Sequence, residues 1–248
     1  MSNKVILRLD KITSILEIKN GSVVSFVGCG GKTSLIELIA LQNRDLKVLV
    51  SPTAKMFPIF TDGVIVCDTI KSSALHVPQI GIQVLGQLNI ESGKLEALPV
   101  QVLSDMVPFY DIMLLEADGS RCLPCKGWRD NEPVVHSFCT HTVGVVTMSA
   151  LGKAARGDIA HNLSEFLSLT GLCEGDKITE QALVDMVCLE NGMFKNSVGQ
   201  RFLLVNKVED EETELAAASF LKAVKMKYPS RFKRIIYGSV LQNDFHEM

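Results

Sequence analysis

The sequence lacks the features that mark several broad classes of protein. Its 248 residues carry a formal net charge of −3 and no basic stripe, so there is no electrostatic basis for binding nucleic acid. No stretch is apolar enough to span a bilayer, and the N-terminal residues lack the apolar core of a signal peptide. We therefore expect a cytoplasmic protein that has neither a nucleic-acid nor a membrane partner.

The cysteines show no disulfide pattern, because there are seven of them and no export signal precedes them. This usage favours reduced thiols in a cytoplasm. Cys122 and Cys125 form a C-x-x-C pair, and His136, Cys139 and His141 follow, so a metal site is one interpretation of this segment. Ordinary free cysteines are the preferred interpretation, because a zinc site usually needs four ligands.

The composition of the chain is that of a globular α/β protein, with 47% hydrophobic and 21% charged residues. Continuous apolar runs alternate with helical patterns, which predicts a mostly parallel sheet flanked by helices on both faces. We expect one P-loop NTPase domain over residues 1–248, with a mostly helical insertion or annex at 150–200. The predicted strands are 23–27, 47–51, 64–67, 82–85, 111–116, 142–147, 202–206 and 234–237.

The strongest motif is a glycine-rich turn that ends in Gly-Lys-Thr, between an apolar strand and a helical pattern. This order is typical of a site that holds nucleotide phosphates, because glycines let backbone N–H groups point inward and the helix N-terminus adds positive charge. The alternative is a tight turn with an incidental lysine. The residues assigned to phosphate binding are Gly28, Cys29, Gly30, Gly31, Lys32, Thr33 and Ser34.

The loop departs from the usual G-x-x-x-x-G-K-[ST] pattern, since Phe26 stands where that pattern has its first glycine. It is therefore a shortened variant of the kind found in Mur-ligase-like nucleotide sites. We expect Lys32 to reach the β- and γ-phosphates of ATP or GTP, and the Thr33 hydroxyl to ligate Mg²⁺.

A second motif is the acidic end of a predicted strand, Glu116-Ala-Asp118-Gly119. Parallel sheets open their sites at the carboxyl ends of strands, so both acids should face the phosphate loop. We expect Asp118 to share Mg²⁺ with Thr33, and Glu116 to position water. The sequence also fits E-x-x-G, a form seen in metallochaperone GTPases. The alternative is a strand that ends in a polar turn.

A third motif follows a later buried strand, where Asn206, Lys207 and Glu209 approximate the guanine-reading N-K-x-D. Glutamate replaces aspartate here, and the same residues could simply lead into a helix cap. The choice between ATP and GTP therefore stays open.

Four further residues are candidates for contacting the γ-phosphate or a substrate. Thr53 and Lys55 follow the second strand, and Arg121 and Lys126 follow the acids. Turn residues and solvated surface charges are the alternatives.

Taken together, these segments resemble the YqeC family, from about residue 20 to the C-terminus. The resemblance implies a P-loop NTPase fold and an accessory role in maturing a selenium-dependent molybdenum hydroxylase. The chain departs from the family at Cys122 and Cys125, where aliphatic residues are usual, and at His161-Asn162, where His-Arg is usual. The matching segments are 27–34, 53–56, 116–121 with Pro124 and Lys126, 132–135, 150–153 and 204–207.

We therefore expect a Mg²⁺-dependent nucleoside triphosphatase that acts on a client molybdenum hydroxylase. Two alternatives remain: a Mur-like ATP-dependent ligase or kinase with a small acceptor, and a non-catalytic scaffold switched by nucleotide. A homodimer is also possible, by analogy with other short-loop relatives.

Overall fold

A computed structural model describes residues 12–58, 64–68 and 77–248. The helix that the sequence predicts over 9–19 lies partly outside these residues, and its described part is a single turn. The described helices are α1 (Ile12–Ile15), α2 (Lys32–Gln42), α3 (Val100–Met106), α4 (Leu163–Thr170), α5 (Glu180–Cys188) and α6 (Glu211–Lys227). None of these helices is long and apolar enough to cross a membrane.

Eleven described strands form one sheet, and two short ones form another. The two short strands are β8 (Cys125–Lys126) and β10 (Ala160–His161), which pair in parallel. The strands of the large sheet are β1 (Ser22–Gly28), β2 (Lys47–Pro52), β3 (Lys55–Met56), β4 (Val64–Asp68), β5 (Gly81–Asn89), β6 (Lys94–Glu96), β7 (Ile112–Glu116), β9 (His141–Val146), β11 (Gln200–Val205), β12 (Arg234–Ser239) and β13 (Asp244–Glu247).

The large sheet is mostly parallel, as the sequence predicts. Its order is β13-β12-β11-β9-β1-β7-β2-β5-β6-β3, with β4 also paired to β5. Every pair from β12 to β5 is parallel, and so is the β4–β5 pair. Antiparallel pairs occur only at the two margins among the described strands, where β13 covers β12 and β6 joins β5 to β3. The described fold is thus α/β.

Strand β1 lies near the middle of the large sheet, and all seven of its residues are buried. Val24 and Phe26 pack in a cluster with Leu35 and Ile36 of α2 on one face. Val27 packs in a second cluster with residues of α4, α5 and α6. A strand buried on both faces needs a continuous apolar run, which explains why its sequence pattern is so clear.

Charged residues of opposite sign lie at the two ends of helix α6. Asp210 caps it by accepting a hydrogen bond of 2.8 Å from Thr213 N, and three acids occupy the first turn. Lys225 and Lys227 lie in the last turn, where the helix dipole favours cations.

The annex, residues 150–200, contains two helices, α4 and α5, together with β10 and connecting turns. Thr179 caps α5, since its hydroxyl accepts a hydrogen bond from Ala182 N at 3.2 Å. Gly127, next to β8, packs so closely against the backbone of Glu165 and Phe166 that a Cβ would not fit. This contact fixes α4 against the segment that follows β7.

Candidate functional site

The candidate site lies at the carboxyl ends of β1 and β7, where a glycine loop (residues 28–31) joins β1 to α2. The strands are adjacent and in register, with Phe26 opposite Glu116. Cys29 N donates to Val145 O at 2.8 Å, which holds the loop against β9. The acids that follow β7 are therefore brought beside the glycine loop, as the parallel arrangement predicts.

The start of α2 presents backbone donors that have no hydrogen-bond partner among the described residues. Its first backbone hydrogen bond runs from Leu35 N to Gly31 O, at 3.0 Å. The N–H groups of Lys32, Thr33 and Ser34 precede that bond, so they are the donors that a helix N-terminus leaves for an external partner. Such donors, together with the helix dipole, form a binding site for anions.

Asn206 braces the glycine loop from behind. Its Nδ2 donates to Gly30 O at 2.8 Å, and its Oδ1 accepts from Val240 N at 2.9 Å. Gly31 has a φ of 122°, and a Cβ on it would lie 2.5 Å from Asn206 Nδ2. Glycine is therefore needed here for both conformation and space. The sequence assigned Asn206 to a base pocket; bracing of the loop is an additional role.

Lys32 is buried and turned inward. Its Nζ donates to Gly28 O at 2.5 Å and lies 3.0 Å from Asp118 Oδ1. Burial alone would lower the pKa of Lys32, but the carboxylates of Asp118 and Glu116 outweigh it and raise the pKa above 10.5. Lys32 is therefore a charged ammonium whose present partners are both parts of the protein.

Asp118 is the centre of a buried polar cluster. Its Oδ2 accepts from Gly28 N at 3.1 Å and from Trp128 Nε1 at 2.5 Å, and it lies 3.7 Å from Lys126 Nζ. Burial would raise the pKa of Asp118, but Lys32, followed by Lys126 and these hydrogen bonds, keeps it below 3.8. The carboxylate is thus ionised and fully engaged with protein groups.

Glu116, rather than Asp118, is the partner of Thr33. Thr33 Oγ1 donates to Glu116 Oε2 at 2.9 Å. Burial is the largest influence on Glu116 and raises its pKa above 4.5, although Lys32 and the Thr33 hydrogen bond act in the opposite direction. Thr33 therefore pairs with Glu116 in this structure, whereas Asp118 turns inward to the lysines.

Lys126 and Thr53, two predicted substrate contacts, are buried among protein partners. Lys126 Nζ donates to Gly119 O at 2.6 Å and lies 3.2 Å from Glu132 Oε2. Thr53 Oγ1 donates to Val134 O at 2.6 Å. The interpretation of Lys126 as a solvated surface charge is wrong, since its side chain is 0% exposed. Both residues support the loops around the cleft.

An open cleft of about 290 Å³ lies in front of the glycine loop. Lys32, Thr33 and Glu116 line it, together with the predicted substrate residues Lys55 and Arg121. Besides these, the lining includes Phe57, Lys94, Cys122 and Lys207.

A second cavity of about 600 Å³ adjoins this cleft, and Gly31, Ser34 and Lys207 line both. Asn206 and Glu209 line the second cavity, so the structure brings together the three residues of the Asn-Lys-x-Glu motif. Glu209 Oε1 accepts from Ser239 Oγ at 2.8 Å, which orients the carboxylate.

The described cysteines lie outside any cluster of metal-ligating side chains. Within the described part of the chain, no group of three or more His, Cys, Asp or Glu side chains is placed to hold a metal ion. Cys125 is buried, whereas Cys122 is exposed and lines the cleft. Burial raises the pKa of the Cys29 thiol to about 12, and this thiol donates to Pro124 O at 2.9 Å.

Two residues of the candidate site were not assigned to it from the sequence, namely Trp128 and Glu132. Both complete the cluster around Asp118 and Lys126. Glu132 lies in one of the segments that resemble the YqeC family, and Trp128 is the one tryptophan of the chain. A buried role for these residues could have been suspected from those two signals.

Comparison with known proteins is consistent with these segments. A family model described as YqeC protein matches residues 24–164, which include the glycine loop, Glu116, Asp118, Trp128 and Glu132. The chain is also 28% identical over 219 residues to a protein of Escherichia coli (strain K12) named uncharacterized protein YqeC, and the match covers 84% of each chain. Since the family model matches more than half of the 248 residues, the chain belongs to the YqeC family.

Proposed function

We propose that this protein binds a nucleoside triphosphate with Mg²⁺ and hydrolyses it, as a cytoplasmic accessory factor in the maturation of a selenium-dependent molybdenum hydroxylase. One observation carries the nucleotide part of the proposal. Lys32 and Thr33 open α2 directly after the glycine loop, and Glu116 lies 2.9 Å from the Thr33 hydroxyl. A P-loop NTPase needs this combination of a lysine, a hydroxyl and an acid around a ring of backbone donors.

The backbone supplies the cradle for the phosphates. The free N–H groups of Lys32, Thr33 and Ser34 and the positive end of the helix dipole face the cleft. Asn206 holds Gly30 in place from the other side, so the loop does not have to be ordered when the nucleotide arrives. Preorganisation of this kind favours tight binding of a phosphate chain.

Lys32 would change partners on binding. In the proposal its ammonium leaves Gly28 O and moves toward the β- and γ-phosphates, which the short loop brings within reach. Asp118 keeps Lys126, Gly28 N and Trp128 as partners, so the carboxylate is not left buried without compensation. The remaining partners of Asp118 therefore lower the free-energy cost of moving Lys32.

The oxygen atoms of Thr33 and Glu116 fit a magnesium ion. Hydroxyl and carboxylate oxygens are the ligands that Mg²⁺ prefers, and these two lie together at the edge of the cleft. When bound, magnesium would neutralise charge on the phosphates and polarise the terminal one. Glu116 would hold the attacking water beside the cleft, by accepting a hydrogen bond from it.

The adjoining cavity is our proposed base pocket. Glu209 has one carboxylate oxygen on Ser239, and its other oxygen could accept from the ring N–H or exocyclic amine of guanine. Adenine offers no equivalent pair of donors. ATP and GTP remain alternatives, and the relative affinities of a Glu209→Gln variant for the two nucleotides distinguish them.

The accessory role rests on the family resemblance. If the protein has this accessory role, we expect the client hydroxylase to stimulate nucleotide hydrolysis. A kinetic assay with and without that client tests this part separately from nucleotide binding.

The direct test is a titration of fluorescent ATP and GTP analogues with Mg²⁺. Wild type should bind at least one of them, and Lys32→Ala should weaken that binding by about a hundredfold, as expected for loss of a direct contact with two phosphates. Lys222→Ala is the matched control, because Lys222 is exposed on α6 and outside the cleft. The proposal fails if wild type binds neither nucleotide, or if Lys32→Ala binds as well as Lys222→Ala.

A further inference from the structure

Three basic residues, Lys55, Lys94 and Arg121, line the cleft but not the proposed base pocket, and together they are called the basic wall. All three residues line the cleft in front of the glycine loop. None of them lines the adjoining cavity, which contains Asn206 and Glu209 instead. A nucleotide whose base lies in that cavity would extend over Gly31 and Ser34 toward Glu116. The basic wall would then lie beyond its terminal phosphate.

The basic wall has positive charge that the described protein does not neutralise. Lys94 and Arg121 form no ion pair with another described residue, and Lys94 Nζ instead lies 4.6 Å from the centre of the Phe57 ring. Lys55 alone of the three is paired, with Glu96 Oε1 at 2.6 Å.

The nucleotide has other partners for its own charge. Lys32, Lys207 and the N-terminus of α2 line the cleft and would meet the phosphate chain, and magnesium would cancel two of its negative charges. The basic wall is therefore additional to what a triphosphate requires. An arginine fork and two lysines that line one cleft suit a dianionic tetrahedral group, because arginine binds two oxygens at once and lysine adds point charges. The Phe57 side chain, 57% exposed, adds apolar surface next to Lys94.

We infer that the basic wall binds a second, phosphate-bearing small molecule beside the terminal phosphate of the nucleotide. This inference rests on the proposed function, because the position of the nucleotide defines which wall is left. It makes the cleft a site for two ligands, with the second one at the end of the phosphate chain that reacts.

The test uses inorganic phosphate as the probe. The full-length protein is first saturated with Mg²⁺ and a non-hydrolysable triphosphate analogue, and phosphate is then titrated in by calorimetry. We expect one phosphate site on the loaded wild type, and about tenfold weaker binding in Lys94→Met and in Arg121→Gln. Lys222→Met, the matched control on α6, should bind phosphate like wild type. All three variants change partly or fully exposed side chains, so each should fold.

Other outcomes overturn the inference. Absence of phosphate binding to the loaded protein would do so, and so would equal binding by Lys94→Met, Arg121→Gln and wild type. If phosphate displaces the analogue, or if the two variants lose affinity for the analogue instead, the basic wall serves the triphosphate alone. Failure of the analogue to bind in the first step would overturn the proposed function as well, so that failure is recognised before any phosphate is added.

Discussion

Lys32 Nζ lies 3.0 Å from Asp118 Oδ1, and both side chains are buried. The lysine that would bind phosphates is thus held by a carboxylate of its own chain. A second lysine, Lys126, and the indole of Trp128 hold the opposite side of that carboxylate. The glycine loop and the segment that follows β7 are therefore joined by charge as well as by strand pairing.

Removal of the Asp118 charge should destabilise the fold strongly. Asp118→Asn leaves Lys32 and Lys126 buried without their shared counter-charge, and breaking such a buried pair costs about 3–5 kcal/mol. The free energy of unfolding in urea measures this. Asp130→Asn is the control, because Asp130 is fully exposed and its pair with Lys195 is 3.7 Å long. Equal stability of the two variants would contradict a structural role for Asp118.

Removal of the Glu116 charge should affect hydrolysis more than binding. Glu116→Gln keeps the size of the side chain but weakens its hold on Mg²⁺ and water, so kcat should fall by about a hundredfold or more. Nucleotide affinity measured in the presence of a chelator should stay near that of wild type, because the backbone and Lys32 supply it. Glu174→Gln, at an exposed position in the annex, is the control. A kcat equal to that of the control would remove Glu116 from the mechanism.

The same acid predicts a pH dependence. Glu116 has to be ionised to act, and burial raises its pKa above 4.5. The value of kcat should therefore be at its maximum at neutral pH and should decline as the pH falls through the raised pKa of Glu116. The pH profile of kcat for wild type checks this, and for Glu116→Gln the residual rate should lose this acid limb. An acid limb that persists unchanged in the variant would assign it to another group.

Thiol labelling should locate the nucleotide. Cys122 and Cys173 are both exposed, but only Cys122 lines the cleft. With nucleotide and Mg²⁺ at ten times the Kd, labelling of Cys122 by iodoacetamide should slow by about tenfold, and labelling of Cys173 should not change. Cys29 should stay unlabelled, because it is buried and its pKa is raised to about 12. Mass spectrometry of the peptides reads out all three, and equal protection of Cys122 and Cys173 would argue against binding in this cleft.

Base preference should depend on Glu209. Guanine offers the carboxylate a ring N–H and an adjacent amine, whereas adenine offers only its amine, so Glu209→Gln should weaken GTP binding by about tenfold and leave ATP binding within about twofold. The ratio of the two affinities is the measurement, compared with Glu211→Gln, which lies outside the proposed base pocket. An unchanged ratio would show that the protein does not read guanine through this residue.

The sheet and the glycine loop could be predicted because their signals are local. Strand β1 is a continuous apolar run, and the loop and α2 follow it without a gap in the sequence. Parallel pairing then places the end of β7 beside the loop. These steps need only periodicity, glycine positions and the general geometry of parallel sheets.

The partners of each polar group could not be predicted, because tertiary contacts decide them. Glu116 and Asp118 are two residues apart, yet one meets Thr33 and the other meets two lysines. Lys126 is buried because Asp118 and Glu132 converge on it from two loops. Asn206 bonds to Gly30 across 176 residues of sequence, a distance over which no local pattern carries information.

The cluster around Asp118 has a consequence for spectroscopy. Trp128 is the one tryptophan of the chain, and its indole N–H lies 2.5 Å from the carboxylate that also holds Lys32. The emission of an indole responds to a charge that moves this close to it. Trp128 is thus a natural fluorophore beside Asp118, and the proposed movement of Lys32 away from Asp118 should change its emission, which can be recorded in real time without an added label.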